Sequence, residues 1–304
     1  MSVRRAQHAG TWYPSDPSEL RSLFDEMFGR ATSTSLPVKA IISPHAGYKY
    51  SGTTAAWAFK SLNPGKVKRV FVLGPCHHTF VDGCALPCGV SSYATPLGDL
   101  PVDTELIQDL KSSSSEIMFR SFKQCDDEEE HSIEMQLPIL RYVLGPSAKI
   151  VPIYIGSLGQ SEERVFGRVL SRYFDDPSVL FVISSDFCHW GNRFRFTPSA
   201  FVGARVPLVY PLGSVNGQIE SLDRQGMELI VAQDSQGFFK YCESTGNTIC
   251  GRNPILILLE ILREAKTKCN VDFVHYSQSG LLPDIPTRTD SCVSYAAALC
   301  VGVE

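Results

Sequence analysis

The sequence predicts an α/β fold: a single domain over residues 1–304, with a largely parallel central β-sheet flanked by helices. Short runs of β-branched and aliphatic residues alternate along the chain with segments of helical periodicity, which is the pattern of βαβ units. The sequence contains no internal repeat, and its Ser-rich stretches are too short to link separate domains. At 304 residues, one domain of this kind buries an ample hydrophobic core.

The first helix has a clear start signal. Asp16 is a candidate N-cap, Pro17 suits the first helical position, and Glu19 completes a capping box ahead of apolar residues at helical spacing. The same reasoning from apolar periodicity assigns the remaining elements. In chain order, it predicts a helix over 17–28, strand 38–43, helix 53–62, strand 68–73, a helix from 103, helix 131–144, strand 149–155, helix 161–174, strand 179–184, helices 219–232, 238–243 and 254–266, and antiparallel closing strands 271–276 and 292–301.

Composition and charge exclude several function classes. The chain has 28 Lys and Arg residues against 32 Asp and Glu, a net charge of −4, and no basic cluster that would attract nucleic acid or an anionic membrane surface. Residues 1–16 lack the apolar run of a signal peptide, and the most apolar stretch, 255–262, is short and interrupted by Glu260. We therefore expect no membrane insertion and a cytoplasmic location, with the ten cysteines reduced.

Histidine follows three of the predicted strands at the point where each strand ends. His45 follows strand 38–43, the pair His77 and His78 follows strand 68–73, and Asp186 and His189 follow strand 179–184. The carboxyl ends of parallel strands meet at one edge of a sheet, where ligands bind. Each histidine alone suits a structural role, but the three together predict a site. Neighbours in an extended chain point to opposite sides, so only one of the pair is expected to face the crevice.

The polar turn 247–254 leads into an apolar helix and carries Cys250. A helix N-terminus favours the thiolate, the form that binds metal or attacks carbon, although a small buried hydrophobe is an equal interpretation. The acidic stretch 126–130 is predicted to be a solvated loop. It precedes His131 and Glu134, which at a spacing of three on a helix either line the site or serve as a cap and an exposed carboxylate.

Six motifs, in this order along nearly the whole chain, together resemble the Memo family, which is named for mediating cell motility driven by an ErbB-type receptor tyrosine kinase. The resemblance implies a cytoskeletal signalling context and a fold similar to that of the class III extradiol dioxygenases, which are non-haem iron enzymes. The motifs are HAGTWY at 8–13, PHAGY at 44–48, LGP at 73–75 with the two histidines after it, EHSIE at 130–134, SSDFCHWG at 184–191 and NTICGR at 247–252.

The resemblance also implies a ligand set. His45, His77 and Cys250 look like metal ligands, with Asp186 and His189 as catalytic residues of the same pocket and His189 in the position of the dioxygenases' acid/base histidine. Cys250 takes the place of the glutamate that the dioxygenases use. A thiolate is a soft ligand, so Fe(II) or copper is expected, with zinc also acceptable, and ring cleavage is not expected. Segment 196–217 departs from the animal members because it is longer and rich in Pro and Gly.

Three hypotheses of different classes fit these residues. The first is a metal-binding redox protein linked to receptor tyrosine kinase signalling in the cytoplasm or also the nucleus. The sequence leaves open whether this protein turns over a substrate. The second is a non-enzymatic adaptor that binds phosphotyrosine peptides of receptors, or cytoskeletal signalling proteins, in the same pocket, with Arg252 on the phosphate or, equally, as a surface helix cap. The third, a metal-free hydrolase with Cys250 as nucleophile, ranks lowest because several histidines surround one cysteine.

Overall fold

The computed structural model describes residues 2–112, 117–198, 208–211 and 213–303. Segment 196–217, for which we predict the least regular structure, lies partly outside the described residues. The strands of the described residues are β1 Ser2–Arg4, β2 Val38–Ser43, β3 Arg69–Pro75, β4 Cys84–Pro87, β5 Val90–Tyr93, β6 Leu100–Pro101, β7 Phe119–Phe122, β8 Lys149–Ile155, β9 Val179–Ser184, β10 His189–Gly191, β11 Cys269–Gln278 and β12 Ser291–Gly302.

Every predicted helix is present, but the helix predicted over 53–62 spans Tyr48–Phe59 and the one predicted over 131–144 begins at Leu137. In α1 the Asp16 carboxylate accepts the N–H groups of Ser18 and Glu19 at 2.8 and 2.9 Å, so the N-cap prediction is confirmed. None of the helices in the described ranges combines the length and apolar composition that crossing a lipid bilayer requires. The helices are α1 Pro17–Arg30, α2 Tyr48–Phe59, α3 Thr104–Ser112, α4 Gln124–Glu129, α5 Leu137–Leu144, α6 Gln160–Phe174, α7 Val215–Val231, α8 Ser235–Thr245 and α9 Arg252–Glu264.

The α/β prediction is confirmed, and the sheet is parallel in its centre and mixed at its margins. Nine described strands lie in the order β10-β12-β2-β9-β3-β8-β4-β7, with β11 paired to β12. The central strands β2, β9, β3 and β8 are mutually parallel. The predicted antiparallel pairing of the closing strands β11 and β12 is confirmed, and β12 also pairs antiparallel to β2 and β10. A separate small sheet has the order β1-β5-β6.

The strand order explains where polar residues converge. Because β9 lies between β2 and β3, the loops that leave these three strands emerge side by side at one edge, as at a topological switch point. The strands themselves are buried and apolar, as expected for a parallel sheet covered on both faces. The buried apolar side chains form one continuous cluster from Tyr13 to Val301, which supports the proposal of one domain over residues 1–304.

Two local predictions around residue 130 are wrong. The acidic stretch 126–130 is not a solvated loop: most of it forms the end of α4, and Asp127, Glu128 and Glu130 are buried. The helix predicted from 131 begins later, with a 3₁₀ turn at Glu134–Gln136 that continues into α5. The run of charges predicted solvent exposure, but each buried carboxylate has hydrogen-bond partners from distant segments. Local sequence does not reveal such partners.

Candidate metal site

Two strand-end loops and one helix start bring the predicted ligands together. His45 lies two residues after β2, His77 two residues after β3, and Cys250 just before α9. The imidazole nitrogens of His45 and His77 and the sulfur of Cys250 lie within 4.8 Å of one another. The Nε2 atom of His45 is 3.1 Å from the Cys250 sulfur. The three predicted ligands therefore converge on one point.

His45 is held in one tautomer by a serine. Its Nδ1 lies 2.8 Å from the Ser184 hydroxyl, which already donates its only proton to the carbonyl of Ser132 at 2.6 Å. The same hydroxyl accepts the side-chain amide of Gln136 at 2.9 Å, so it can only accept from His45. His45 therefore carries its proton on Nδ1 and presents the Nε2 lone pair to Cys250. Burial lowers the pKa of His45 well below its ordinary value, which keeps the ring neutral.

A carboxylate holds His77 in the same tautomer. Glu130 Oε1 accepts from His77 Nδ1 at 2.9 Å, and Glu130 Oε2 accepts the backbone N–H of His77. Although burial opposes it, hydrogen bonding and the charge of His77 lower the pKa of Glu130 below its ordinary value. The ionised carboxylate therefore orients His77 Nε2 toward the site, as carboxylates do behind metal-binding histidines. Both His77 and His78 line the pocket, so the prediction that only one of the pair faces it is wrong. Among the described residues, however, the group of possible ligands with Cys250 includes His77 and not His78.

Cys250 is not activated as a thiolate in the protein alone. Burial, followed by the nearby charge of Asp186, raises the pKa of its thiol well above the ordinary value. The expectation that the start of α9 favours the thiolate is wrong because desolvation outweighs the helix N-terminus. A bound cation would reverse this balance, since coordinated thiols are deprotonated. The high pKa of Cys250 therefore argues against the metal-free nucleophile hypothesis.

Asp186 and His189 line the pocket that also contains His45 and His77, whereas Cys250 lines a separate, smaller cavity. Asp186 Oδ1 accepts the backbone N–H of His45 at 2.8 Å and of Ala46 at 3.3 Å, which fixes the loop after β2. Burial raises the pKa of Asp186. His189 Nδ1 lies 2.9 Å from the carbonyl of Phe187 and 3.0 Å from that of Thr248, and both oxygens can only accept. His189 therefore carries a proton on Nδ1, and Nε2 is the ring nitrogen that is not engaged by these two carbonyls.

The pocket above these residues has a volume of about 1010 Å³. Its walls combine imidazole, larger aromatic rings and two cationic side chains. The His131 ring stacks on His77 at a centroid distance of 4.5 Å and also contacts Trp12 at 4.5 Å. The lining includes Trp12, Lys49, Tyr50, His131, Arg193 and Phe194.

His131 lines the pocket, whereas Glu134 lies beneath it. Burial, then the proximity of the His45 and His77 rings, lowers the pKa of His131 to about 2, so its ring is neutral. The Glu134 carboxylate is buried and accepts from Arg4, from Tyr13 at 2.7 Å and from His8. The prediction that both residues share one helix face is wrong because His131 precedes the helical turn.

Glu130 contacts the candidate site, although the sequence interpretation placed it in a solvated loop. His77, Glu130 and His131 form a second group with atoms close enough to hold a cation. Glu130 Oε1, however, already accepts from His77 Nδ1 and from the backbone N–H groups of His131 and Ser132, at 2.9 Å each. An oxygen that accepts three N–H groups is a poor metal ligand, so Glu130 orients His77. Its place in the EHSIE motif was the available signal.

Arg252 is turned away from this pocket. Its guanidinium pairs with Glu243 at 2.6 Å and lies 4.9 Å from the ring centroid of Phe239, and it is not among the pocket-lining residues. Of the two interpretations, the helix-cap charge therefore fits better than the phosphate ligand. Lys49 and Arg193 line the pocket instead. Neither cation could be predicted from the sequence, because neither belongs to a motif.

The donor set fits the metals that the resemblance implies. Two imidazoles and one thiol suit Fe(II), Cu(I) or Zn(II), and are too soft a set for Mg²⁺ or Ca²⁺. The acceptors on His45 and His77 add the outer hydrogen bonds that such ligands require. The residues present therefore fit a soft or borderline metal ion.

Comparisons with known proteins agree with one another. A family model described as "Memo-like protein" matches residues 4–299. Protein MEMO1 of Xenopus laevis is 41% identical over 306 residues, which cover 98% of this chain and 97% of that protein. Protein MEMO1 of Homo sapiens is 39% identical over 300 residues, covering 97% and 96%. The protein memo-1 homolog of Caenorhabditis elegans is 41% identical over 302 residues, covering 98% and 82%.

A solved structure shows the same fold. An uncharacterized protein from Escherichia coli K12 aligns with a TM-score of 0.51, covering 84% of this chain and 98% of that chain. At 15% identity, this likeness concerns the fold alone.

Proposed function

Because the chain belongs to the Memo family, we propose that it is a metal-binding redox protein that holds Fe(II) or copper at His45, His77 and Cys250. The observation that carries the proposal is the tautomer of the two histidines. Both Nδ1 atoms are committed to acceptors, so both Nε2 lone pairs converge with the thiol of Cys250. When bound, such a metal supplies Lewis acidity and one-electron redox chemistry.

The chain's own groups define what the pocket can do beside the metal. His189 accepts a proton at Nε2 because its Nδ1 proton is held by two carbonyl oxygens. Asp186, whose pKa is raised by burial, can hold a proton while its Oδ1 fixes the loop that carries His45. We assign His189 as the proton-transfer residue and Asp186 as its partner in the same pocket. A signalling role linked to receptor kinases and cell motility would use this redox chemistry.

Anaerobic metal loading tests the proposal. The purified chain is dialysed separately against Fe(II), Cu(I) and Zn(II), and bound metal is measured by elemental analysis, with one ion per chain expected. His45→Ala should bind more weakly, and no longer stoichiometrically at equal concentrations of metal and chain, because one of two imidazole ligands is removed. The matched control is His78→Ala, which removes a histidine outside the ligand group and should bind like the unaltered protein. Stoichiometric binding by His45→Ala would overturn the ligand set, and only Zn(II) binding would overturn the redox assignment.

A second candidate, the phosphotyrosine-peptide adaptor, is favoured by one observation. Lys49 and Arg193 line the same pocket beside Trp12, Tyr50 and Phe194, which offers cations for a phosphate and rings for an aryl group. In this form the proposal uses Arg193 in place of Arg252. We expect Arg193→Ala to weaken binding of a phosphotyrosine peptide about tenfold, as loss of a charged hydrogen bond does, and Arg252→Ala to leave it unchanged. Calorimetry showing equal affinity for phosphorylated and unphosphorylated peptides would exclude the adaptor function.

A further inference from the structure

Arg4 in β1 is a fully buried arginine with every N–H group in use. Its Nε donates to Asp127 Oδ1 at 2.9 Å, and its Nη1 donates to the Arg5 carbonyl at 2.7 Å and to the Glu134 carboxylate. Its Nη2 donates to the carbonyls of Asp127 and Glu130 at 2.6 and 3.0 Å. Two carboxylates neutralise the guanidinium, so its burial is compensated. The fork therefore fixes the backbone at the end of α4.

The backbone that Arg4 holds belongs to the residue that orients His77. Glu130 is the C-cap of α4, and its carbonyl accepts from Arg4 while its carboxylate accepts from the ring and the backbone of His77. Glu130 also accepts the backbone N–H groups of His131 and Ser132. A chain of direct hydrogen bonds therefore leads from Arg4 through one residue to a predicted metal ligand.

The other histidine is separated from Arg4 by more hydrogen bonds, which lead through Glu130, Ser132 and Ser184. His45 is oriented by Ser184, which in turn contacts Gln136 and the carbonyl of Ser132. None of the contacts of Arg4 described above reaches His45 or Ser184 directly. A loss of the Arg4 fork should therefore act on the His77 side of the site first.

We propose that Arg4 is a positioning residue for His77, so that the first strand, far from the strand-end loops in sequence, is part of the metal site. The proposal rests on the metal-binding function proposed above. The planar fork is required because a lysine in this place has three N–H donors in another geometry and cannot satisfy five positions at once. Arg4 touches no ligand itself; it acts through Glu130.

The test is a double-mutant cycle on metal affinity. Arg4→Lys should weaken Cu(I) or Fe(II) binding by about 10- to 100-fold, as loss of an outer hydrogen bond at a metal site does. In the His77→Ala background, Arg4→Lys should not lower the metal affinity further. In the His45→Ala background, the two losses of binding free energy should add. The matched control is Arg5→Lys, whose side chain is 75% exposed and should leave affinity unchanged. Equal additivity with both histidine variants would overturn the proposal.

A measurement on the metal-free protein separates this proposal from the proposed function. The His77 Nδ1–H resonance, hydrogen-bonded to Glu130, should shift and exchange faster in Arg4→Lys and stay unchanged in Arg5→Lys, with the His45 Nδ1–H unchanged in both. If the unaltered protein binds no metal, this resonance still decides the role of Arg4. If Arg4→Lys fails to fold, Arg4→Gln with Asp127→Asn, which removes one charge of each sign, takes its place. An unshifted His77 resonance would overturn the positioning role.

Discussion

Cys250→Ser is expected to lower the affinity for Cu(I) by more than about 100-fold, because a soft thiolate is replaced by a hard, neutral hydroxyl. The fold should be unaffected. The thiol of Cys250 is neutral in the metal-free protein, since burial raises its pKa, and serine has nearly the same shape. Titration against a chromophoric Cu(I) chelator gives the affinity, and thermal unfolding of the metal-free protein gives the stability. We expect a large loss of affinity with little change in Tm.

The matched control for this variant is Cys88→Ser. Cys88 is an exposed free cysteine outside the candidate site. Like Cys250→Ser, this variant removes one of the ten thiols, but it should leave the Cu(I) affinity unchanged. If both variants bind Cu(I) as tightly as the unaltered protein, Cys250 is not a ligand. If both lose affinity equally, the metal binds thiols nonspecifically.

Gly251→Ala is expected to destabilise the protein by about 3 kcal/mol or more, because overpacking of a rigid contact forces backbone to move. A Cβ added at Gly251 would lie 2.2 Å from the Cβ of Ser185 and 2.7 Å from the carbonyl oxygen of Ser184. The Gly251 N–H also donates to the Ser185 hydroxyl at 3.1 Å. The start of α9 and the end of β9 therefore touch at this glycine. Urea denaturation measures the loss in the free energy of unfolding.

Gly29→Ala is the matched glycine control. Gly29 lies in the last turn of α1, and an added Cβ there meets nothing within 4 Å. Alanine at a helical position is favoured over glycine, so this variant should gain up to about 1 kcal/mol. If Gly251→Ala were as stable as the unaltered protein, the close contact between α9 and β9 would be contradicted. Because Cys250 is adjacent, metal affinity should fall in Gly251→Ala and not in Gly29→Ala.

The buried strands were the most predictable part of the fold. The bounds agree with prediction for Val38–Ser43, Lys149–Ile155 and Val179–Ser184. A short continuous run of aliphatic residues is typical of a strand that is buried on both faces of a parallel sheet. The short marginal strands such as Cys84–Pro87 and Phe119–Phe122 were not predicted. Their residues carry little periodicity, and pairing with a neighbouring strand decides their conformation.

The candidate site was likewise predictable only where local sequence pattern decides the structure. The sequence by itself determined that His45, His77, Asp186 and His189 follow strand ends, since the carboxyl edge of a parallel sheet is fixed by local pattern and chain direction. It also identified Cys250 as a candidate, and the Memo family through its motifs.

Only the tertiary structure decided which atoms of those residues are free to bind. Glu130, which hydrogen-bonds His77, lies in a stretch whose charge predicted solvent exposure. Arg4, which hydrogen-bonds the carbonyl of Glu130, lies in a strand more than a hundred residues away in the chain. The Glu130 carboxylate at His77 and the Ser184 hydroxyl at His45 each accept from an Nδ1 atom. Burial likewise set the protonation of Cys250 against the expectation from its helix. Hydrogen-bond partners and desolvation depend on residues distant in sequence, and therefore only the packed chain determines them.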